Sequence, residues 1–303
     1  MAIADALLYQ LTQRWPAGLT HSYGDETLDR GEPGSEAYRL AYARFQFNRK
    51  VRYGLGRSVW GLDVLELGCG HGGICCYMAT AGARSVTGID LNTANLETAR
   101  NFANEVRRQL GGERELAVTF LEMRAEATTF ADESFDLIVA DNLFEHVDDP
   151  LAVMKEARRV LRPDGALLVP NFLSIYGRDG LHLKYGFRVP WANLLFSDRT
   201  IINTLRRIAD GDPRMYDVYP CLRHECTRVR DVRRHRDLNG ITYGKFKALA
   251  RDAGLQLAQF TVESRGYSGK LVMKLPLLNR SMLGDVLSVG ASAVLLKPSP
   301  CTR

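Results

Sequence analysis

The segment DVLELGCGHGG (63–73) joins an apolar run, one carboxylate and closely spaced glycines. Gly68, Gly70 and Gly72 allow a sharp turn and a close backbone approach to a ligand, where a Cβ would clash. The helix expected next presents unpaired N–H groups to the same point. Asp90 closes the following apolar run, VTGID. A carboxylate there can accept both hydroxyls of a ribose, so the pair predicts a nucleoside ligand. Gly68, Gly70 and Gly73 also satisfy the dinucleotide pattern, which keeps an NAD(P)-dependent oxidoreductase in view as an alternative. Glu66 weighs against it: a carboxylate inside the strand would repel a pyrophosphate and suits a ligand carrying a positive amino group.

These residues need elements to position them. From Leu62 the chain alternates short apolar runs (DVLEL, SVTGID, AVTFLEM, FDLIVA, ALLVPN) with amphipathic stretches. Leu96, Ala99, Phe102, Val106 and Leu110 fall at helical spacing, as do Leu151, Met154, Ala157, Val160 and Leu161. Pro150 suits a first helical position, with Asp149 as its cap. Strands alternating with helices of this length predict an α/β fold with a mostly parallel sheet and helices on both faces. A helix over 243–253 and strands over 255–263 and 293–297 are expected to complete the sheet. The predicted plan is an N-terminal helical cap over 1–60, a sheet domain over 61–172 and 241–303, and a helical, substrate-binding insertion over 173–240.

The glycine loop, Asp90 and the segment FDLIVADNLFEHV together resemble a class I S-adenosylmethionine-dependent methyltransferase of the small-molecule group (type 11-like). The resemblance is strong over residues 60–172 and looser over 172–299. It implies a Rossmann-like seven-stranded sheet of order 3-2-1-4-5-7-6 with the last strand antiparallel. It also implies S-adenosyl-L-methionine as cofactor and S-adenosyl-L-homocysteine as product. Gly68, Cys69, Gly70 and Gly72 would cradle the methionine part, with Glu66 near its amino group. Asp90 would hold the ribose, with Leu91 beside it. Met123, Arg124, Ala125 and Glu126 would flank the adenine, and Asp141, Asn142 and Leu143 would end the fourth strand beside the cofactor. Arg124 departs from the pattern, since many relatives carry an acid there; Glu126 is the substitute.

Methyl transfer to oxygen needs a base, worth about 10²–10⁴-fold in rate, and the chain has six histidines. His182 lies in a segment (NFLSIYGRDGLHLKYGFRVPWANLLFSDRTI) resembling a bacterial subgroup of the family, and is the first candidate base. His146, in LFEHVDDP, is the second; ordering the loop before the next helix is its plainer role. His21 and Tyr23 are candidates for a lid closing over the site. Transfer to carbon or nitrogen, where a base is dispensable, and cofactor binding without catalysis remain open alternatives.

The net charge of +5 is mild, but residues 222–236 (LRHECTRVRDVRRHR) concentrate arginines. They read as a solvated helix face or as a grip on an anionic or carrier-linked acceptor. Interleaved aromatics for base stacking are missing, which argues against nucleic acid. Cys221, His224 and Cys226 lack a second paired set, so no metal site is expected. Six cysteines without framework spacing, and a start lacking a basic leader and cleavage site, predict a cytoplasmic protein. No uncharged apolar run approaches the roughly 20 residues of a membrane span. The apolar stretch 271–290 is expected to pack under the final strand or to form the contact of a homodimer.

Overall fold

The computed structural model describes residues 3–14, 58–110, 116–178, 180, 189, 191–212, 238–263 and 282–299. His21, Tyr23, His182, Cys221, His224, Cys226, the whole 222–236 stretch and residues 271–281 of the 271–290 stretch lie outside the described residues.

Seven strands form one sheet: β1 Asp63–Leu67, β2 Ser85–Asp90, β3 Val118–Glu122, β4 Phe135–Val139, β5 Leu161–Phe172, β6 Gln256–Glu263 and β7 Gly290–Leu296. Their order is β3-β2-β1-β4-β5-β7-β6, and β7 runs antiparallel to both its neighbours. The remaining pairings are parallel, with Leu65 beside Thr87 on one side and Ile138 on the other. This is the topology expected from the family resemblance.

The central strands β1, β4 and β5 read as largely apolar runs because both their faces are covered. Val64, Leu137 and Leu168 pack under helices α2 (Gly73–Thr80) and α3 (Thr93–Gln109), against Cys76, Met78, Leu96, Ala99 and Phe102. Leu65, Ile138 and Leu167, each the immediate neighbour of one of these, face the opposite way. They pack with α4 (Pro150–Val160) and a helix over Tyr243–Asp252, through Val153, Met154, Ala157, Phe246 and Ala250. The period of two thus sorts each strand's residues between two cores. Local signals set the helix starts. The side chain of Asn92 accepts from Ala94 N and Asn95 N, and that of Asp149 from Leu151 N and Ala152 N, with Pro150 in the first turn.

At the amino edge of the sheet, Arg84 and Arg162 bracket Asp63 at 2.6 and 2.9 Å, and Arg162 also reaches Asp136 at 2.7 Å. The hydrogen bond from Arg84, aided by Ser85 and Arg162 against a burial cost, holds the Asp63 carboxyl well below the usual carboxylate range. At the carboxyl edge, an aromatic cluster fills the α4 face. Phe246 stacks on Phe172 with centroids 4.3 Å apart and meets Phe144 edge-on at 5.2 Å.

A third, smaller core joins the N-terminal helix α1 (Ile3–Arg14) to α5 (Ala192–Leu195) and α6 (Asp198–Gly211). Leu8 packs among Ala192, Ile201, Ile202 and Leu205. Arg207 lies 3.6 Å over the ring of Tyr9, and Asn203 Nδ2 donates to Asp5 at 3.1 Å. The remaining helices among the described residues are α7 (Tyr243–Asp252) and α8 (Met282–Val286). Elements from the predicted cap and the predicted insertion therefore form one packed unit.

The two kinds of stabilisation separate by mutation. Phe246→Ala should cost about 3–5 kcal/mol by emptying a fully buried aromatic site. Asp149→Ala should cost only about 0.5–2 kcal/mol through the lost cap. Urea unfolding of both variants checks the order; equal losses would mean that the aromatic cluster is not a principal support.

Candidate active site

In a parallel sheet the ligand crevice opens at the carboxyl ends of the strands, where the winding reverses. Here β1 leads outward to β2 and β3, and β4 and β5 go the other way, so the crevice lies between the ends of β1 and β4. The glycine loop follows β1, Asp90 ends β2, Met123–Glu126 follows β3 and Asp141–His146 follows β4. The order 3-2-1-4 thus lines up four short segments along one edge.

Within the loop, Gly68, Gly70 and Gly72 all have positive φ, between 50° and 73°. A Cβ on Gly68 would stand 2.9 Å from Leu143 Cδ1, so the glycine lets the post-β4 segment close against the loop. A Cβ on Gly70 would meet nothing within 4 Å. That open side lies next to Asp90, because Gly70 N donates to Asp90 Oδ2 at 2.9 Å and Asn92 N to Oδ1 at 2.8 Å. A carboxylate offers about four lone-pair sites. Two are used by these amides, and two remain for a pair of vicinal hydroxyls.

Glu66 is 3% exposed, at the end of β1 beneath the loop. It points to the same face as Val64, where α2 begins, and the Cys75 thiol donates to its Oε2 at 2.8 Å. Burial pushes its carboxyl up to about 8, against the opposing pull of the Cys75 thiol and backbone N–H, with Asp141 and Asp90 adding repulsion. Burial also drives the Cys75 thiol well upward, so it remains a neutral donor. An acid held protonated in this way becomes a carboxylate readily when a cation arrives.

Leu91 is more than half exposed, Ala125 is buried, and Leu143 is half-buried against the sheet core. Glu126 receives Arg124 at 3.3 Å, and the same guanidinium reaches Asp148 at 3.4 Å. The unexpected arginine thus bridges the post-β3 segment to the loop before α4. Asn142 adopts φ 52°, and its N donates to Asn171 O at 2.8 Å. His146 is half-buried, and its N donates to Leu143 O at 2.8 Å, closing a tight turn. Cys75, Asn171 and Asn239 are not singled out by sequence; each acts through a contact between segments that no local pattern announces. Among the described residues, no group of His, Cys, Asp and Glu has the arrangement of a metal site.

A sheet wound in this order with one reversed strand, carrying a buried acid under its first glycine loop, is the architecture of the class I S-adenosylmethionine-dependent methyltransferases. The residues fit that cofactor: Gly70 leaves room, Asp90 retains acceptor capacity, and Glu66 awaits a cation. A family profile described as a methyltransferase domain matches residues 65–169, from within β1 into β5. Those residues are a methyltransferase domain of this class. A ubiquinone biosynthesis O-methyltransferase of Actinobacillus pleuropneumoniae is 38% identical over 110 residues, 36% of this chain and 45% of the relative. A 27-O-demethylrifamycin SV methyltransferase of Amycolatopsis mediterranei is 30% identical over 177 residues, 58% of this chain and 59% of the relative. The chain therefore spans about half the length of these curated relatives. Among solved structures, a Listeria monocytogenes protein assigned as an S-adenosylmethionine dependent methyltransferase shares the fold. Its TM-score is 0.52 at 12% identity, with 85% of this chain and all of that one covered.

The raised Glu66 carboxyl has a signature in the free protein. The folded state keeps a proton up to about pH 8 that the unfolded chain releases near 4.5, so stability falls as pH rises across that window. Glu66→Gln should flatten that slope, as read by unfolding free energies from pH 5 to pH 8.5. An unchanged slope in the variant would mean that Glu66 does not titrate as its burial requires.

Proposed function

We propose that this protein transfers a methyl group from S-adenosylmethionine to an oxygen of a small-molecule acceptor in the cytoplasm. A sugar, glycan precursor or secondary metabolite fits best, and an anionic or carrier-linked form would suit the arginine-rich 222–236 stretch. The observation that carries this reading is a buried Glu66 at the end of β1 together with Asp90 hydrogen-bonded to the open Gly70 backbone in the loop that follows. The relatives named above are O-methyltransferases, which supports oxygen over carbon or nitrogen.

When bound, the cofactor supplies an electrophilic methyl group on a sulfonium. The protein's task is then alignment and proton removal. Glu66 would pair with the ammonium of the methionine part, and Asp90 would accept the ribose hydroxyls. Leu91, Ala125 and Leu143 would give the adenine apolar walls, with Glu126 near its amino group. Asp141 and Asn142 would border the cofactor from the end of β4. His182 is the first candidate to take the acceptor's proton and His146 the second, with Tyr23 on the proposed lid. An NAD(P)-dependent oxidoreductase fits poorly, because Glu66 would sit under the pyrophosphate.

Calorimetric titration tests the cofactor first. Wild type should bind S-adenosylmethionine at micromolar concentration, Asp90→Ala should weaken it severely, and NAD(H) should not bind. At pH 7 binding should release close to one proton, and at pH 9 almost none, because Glu66 must ionise to meet the ammonium. No binding, or a preference for NAD(H), would sink the proposal. With labelled methyl donor and a panel of hydroxylated acceptors, His182→Ala or His146→Ala should lower kcat by about 10²–10⁴-fold and abolish the acidic limb of the pH profile, where rate rises as the base loses its proton. If neither variant loses rate, transfer to carbon or nitrogen becomes the better reading.

A further inference from the structure

Asn239, where the chain returns to the sheet, makes an unusual set of contacts with the segment after β4. Its Nδ2 donates to Phe144 O and to Val147 O, both at 2.7 Å, and its backbone N donates to Glu145 O at 2.9 Å. Its Oδ1 accepts from Ile241 N at 2.9 Å, which holds the amide in that orientation. Both side-chain donors and the backbone donor thus converge on one four-residue turn, across more than ninety residues of sequence.

That turn carries the post-β4 half of the crevice. Leu143 abuts the glycine loop at Gly68, while Phe144 is buried in the aromatic cluster against Phe246. The backbone therefore holds one side chain up against the cofactor loop and the next one down in the core. If its carbonyls were released, the turn could swing away from Gly68 and widen the gap between β1 and β4. Immediately beyond, Ile175 N donates to Ile241 O at 2.9 Å, tying the same short strap to the segment after β5.

We propose that Asn239 is a positioning residue for the cofactor crevice: it clamps the post-β4 turn against the glycine loop. Through it, the returning end of the 173–240 segment sets the cofactor affinity. This rests on the reading that S-adenosylmethionine binds beside Gly70 and Asp90. The clamp itself touches no ligand. Its effect is preorganisation, because a turn already held in place needs no ordering when the cofactor arrives.

The test uses Asn239→Asp, which keeps size and the acceptor for Ile241 N but loses both donors, and Asn239→Ala. S-adenosylhomocysteine affinity is measured by calorimetry, and hydrogen exchange is followed over peptides spanning 140–148 and 238–243. Both variants should bind S-adenosylhomocysteine about tenfold or more weakly, a difference of about 1.4 kcal/mol. Exchange over 140–148 should speed up while that of the β1–β3 peptides stays unchanged. In wild type, S-adenosylhomocysteine should slow exchange in 140–148 and in 238–243 together. Affinity within twofold of wild type in a variant whose turn exchanges faster would reduce Asn239 to a structural brace and overturn the proposal. So would protection of 140–148 in wild type with none in 238–243, a result that stands even if the variants fail to fold. Failure of wild type itself to bind S-adenosylhomocysteine would bring down the cofactor reading and the clamp with it.

Discussion

A carboxyl group buried at the end of the central strand is the constraint around which the rest of this protein is arranged. Glu66 lies in a strand among the apolar, enclosed Val64, Leu65 and Leu67, and burying a charge there is costly unless a partner meets it. The sheet cannot move the acid outward, because β1 is flanked by β2 and β4 along its length. The glycine loop immediately beyond it turns the chain away and leaves an open side at Gly70. The acid, the opening and Asp90 therefore occupy one place for one geometrical reason: each follows directly from the end of a strand next to the winding reversal.

The same geometry explains why so much was legible from sequence. Strands covered on both faces must be apolar throughout, so their runs stand out without an alignment. Caps such as Asn92 and Asp149 act over two or three residues, and the glycine loop and Asp90 act within a few residues of their strands. Interactions between remote segments leave no such mark. The N-terminal residues read as a helical cap, but nothing local says that the partner of that helix would be α6, joined by Asn203 to Asp5 across 198 residues. Cys75 reads as an ordinary core residue until its thiol is seen on Glu66. Asn239 carries no local signal until its side-chain amide is seen to take two carbonyls and its backbone N–H a third. Arg124 stood out as a departure, yet its link to Asp148 required the loop before α4 to be placed.

A second buried acid on the same edge shows what separates a ligand-binding group from a structural one. Asp285 is 7% exposed; its Oδ2 accepts from Ser174 Oγ at 2.6 Å and from Tyr243 N at 3.1 Å. Tyr243 opens α7, so that amide belongs to the positive end of a helix. Tyr243 in turn donates its hydroxyl to Ser288 Oγ at 2.8 Å, which donates to Asp285 O at 2.6 Å. This network closes on itself and fastens the segments after β5, before β7 and at the start of α7. Glu66 is met by the thiol and the backbone N–H of Cys75, and burial outweighs both and holds a proton on it. Burial alone therefore does not mark a functional acid. The balance of donors against burial does: donors from two remote segments make Asp285 a rivet, while at Glu66 burial outweighs the Cys75 donors and leaves the acid ready for a cation from outside the chain.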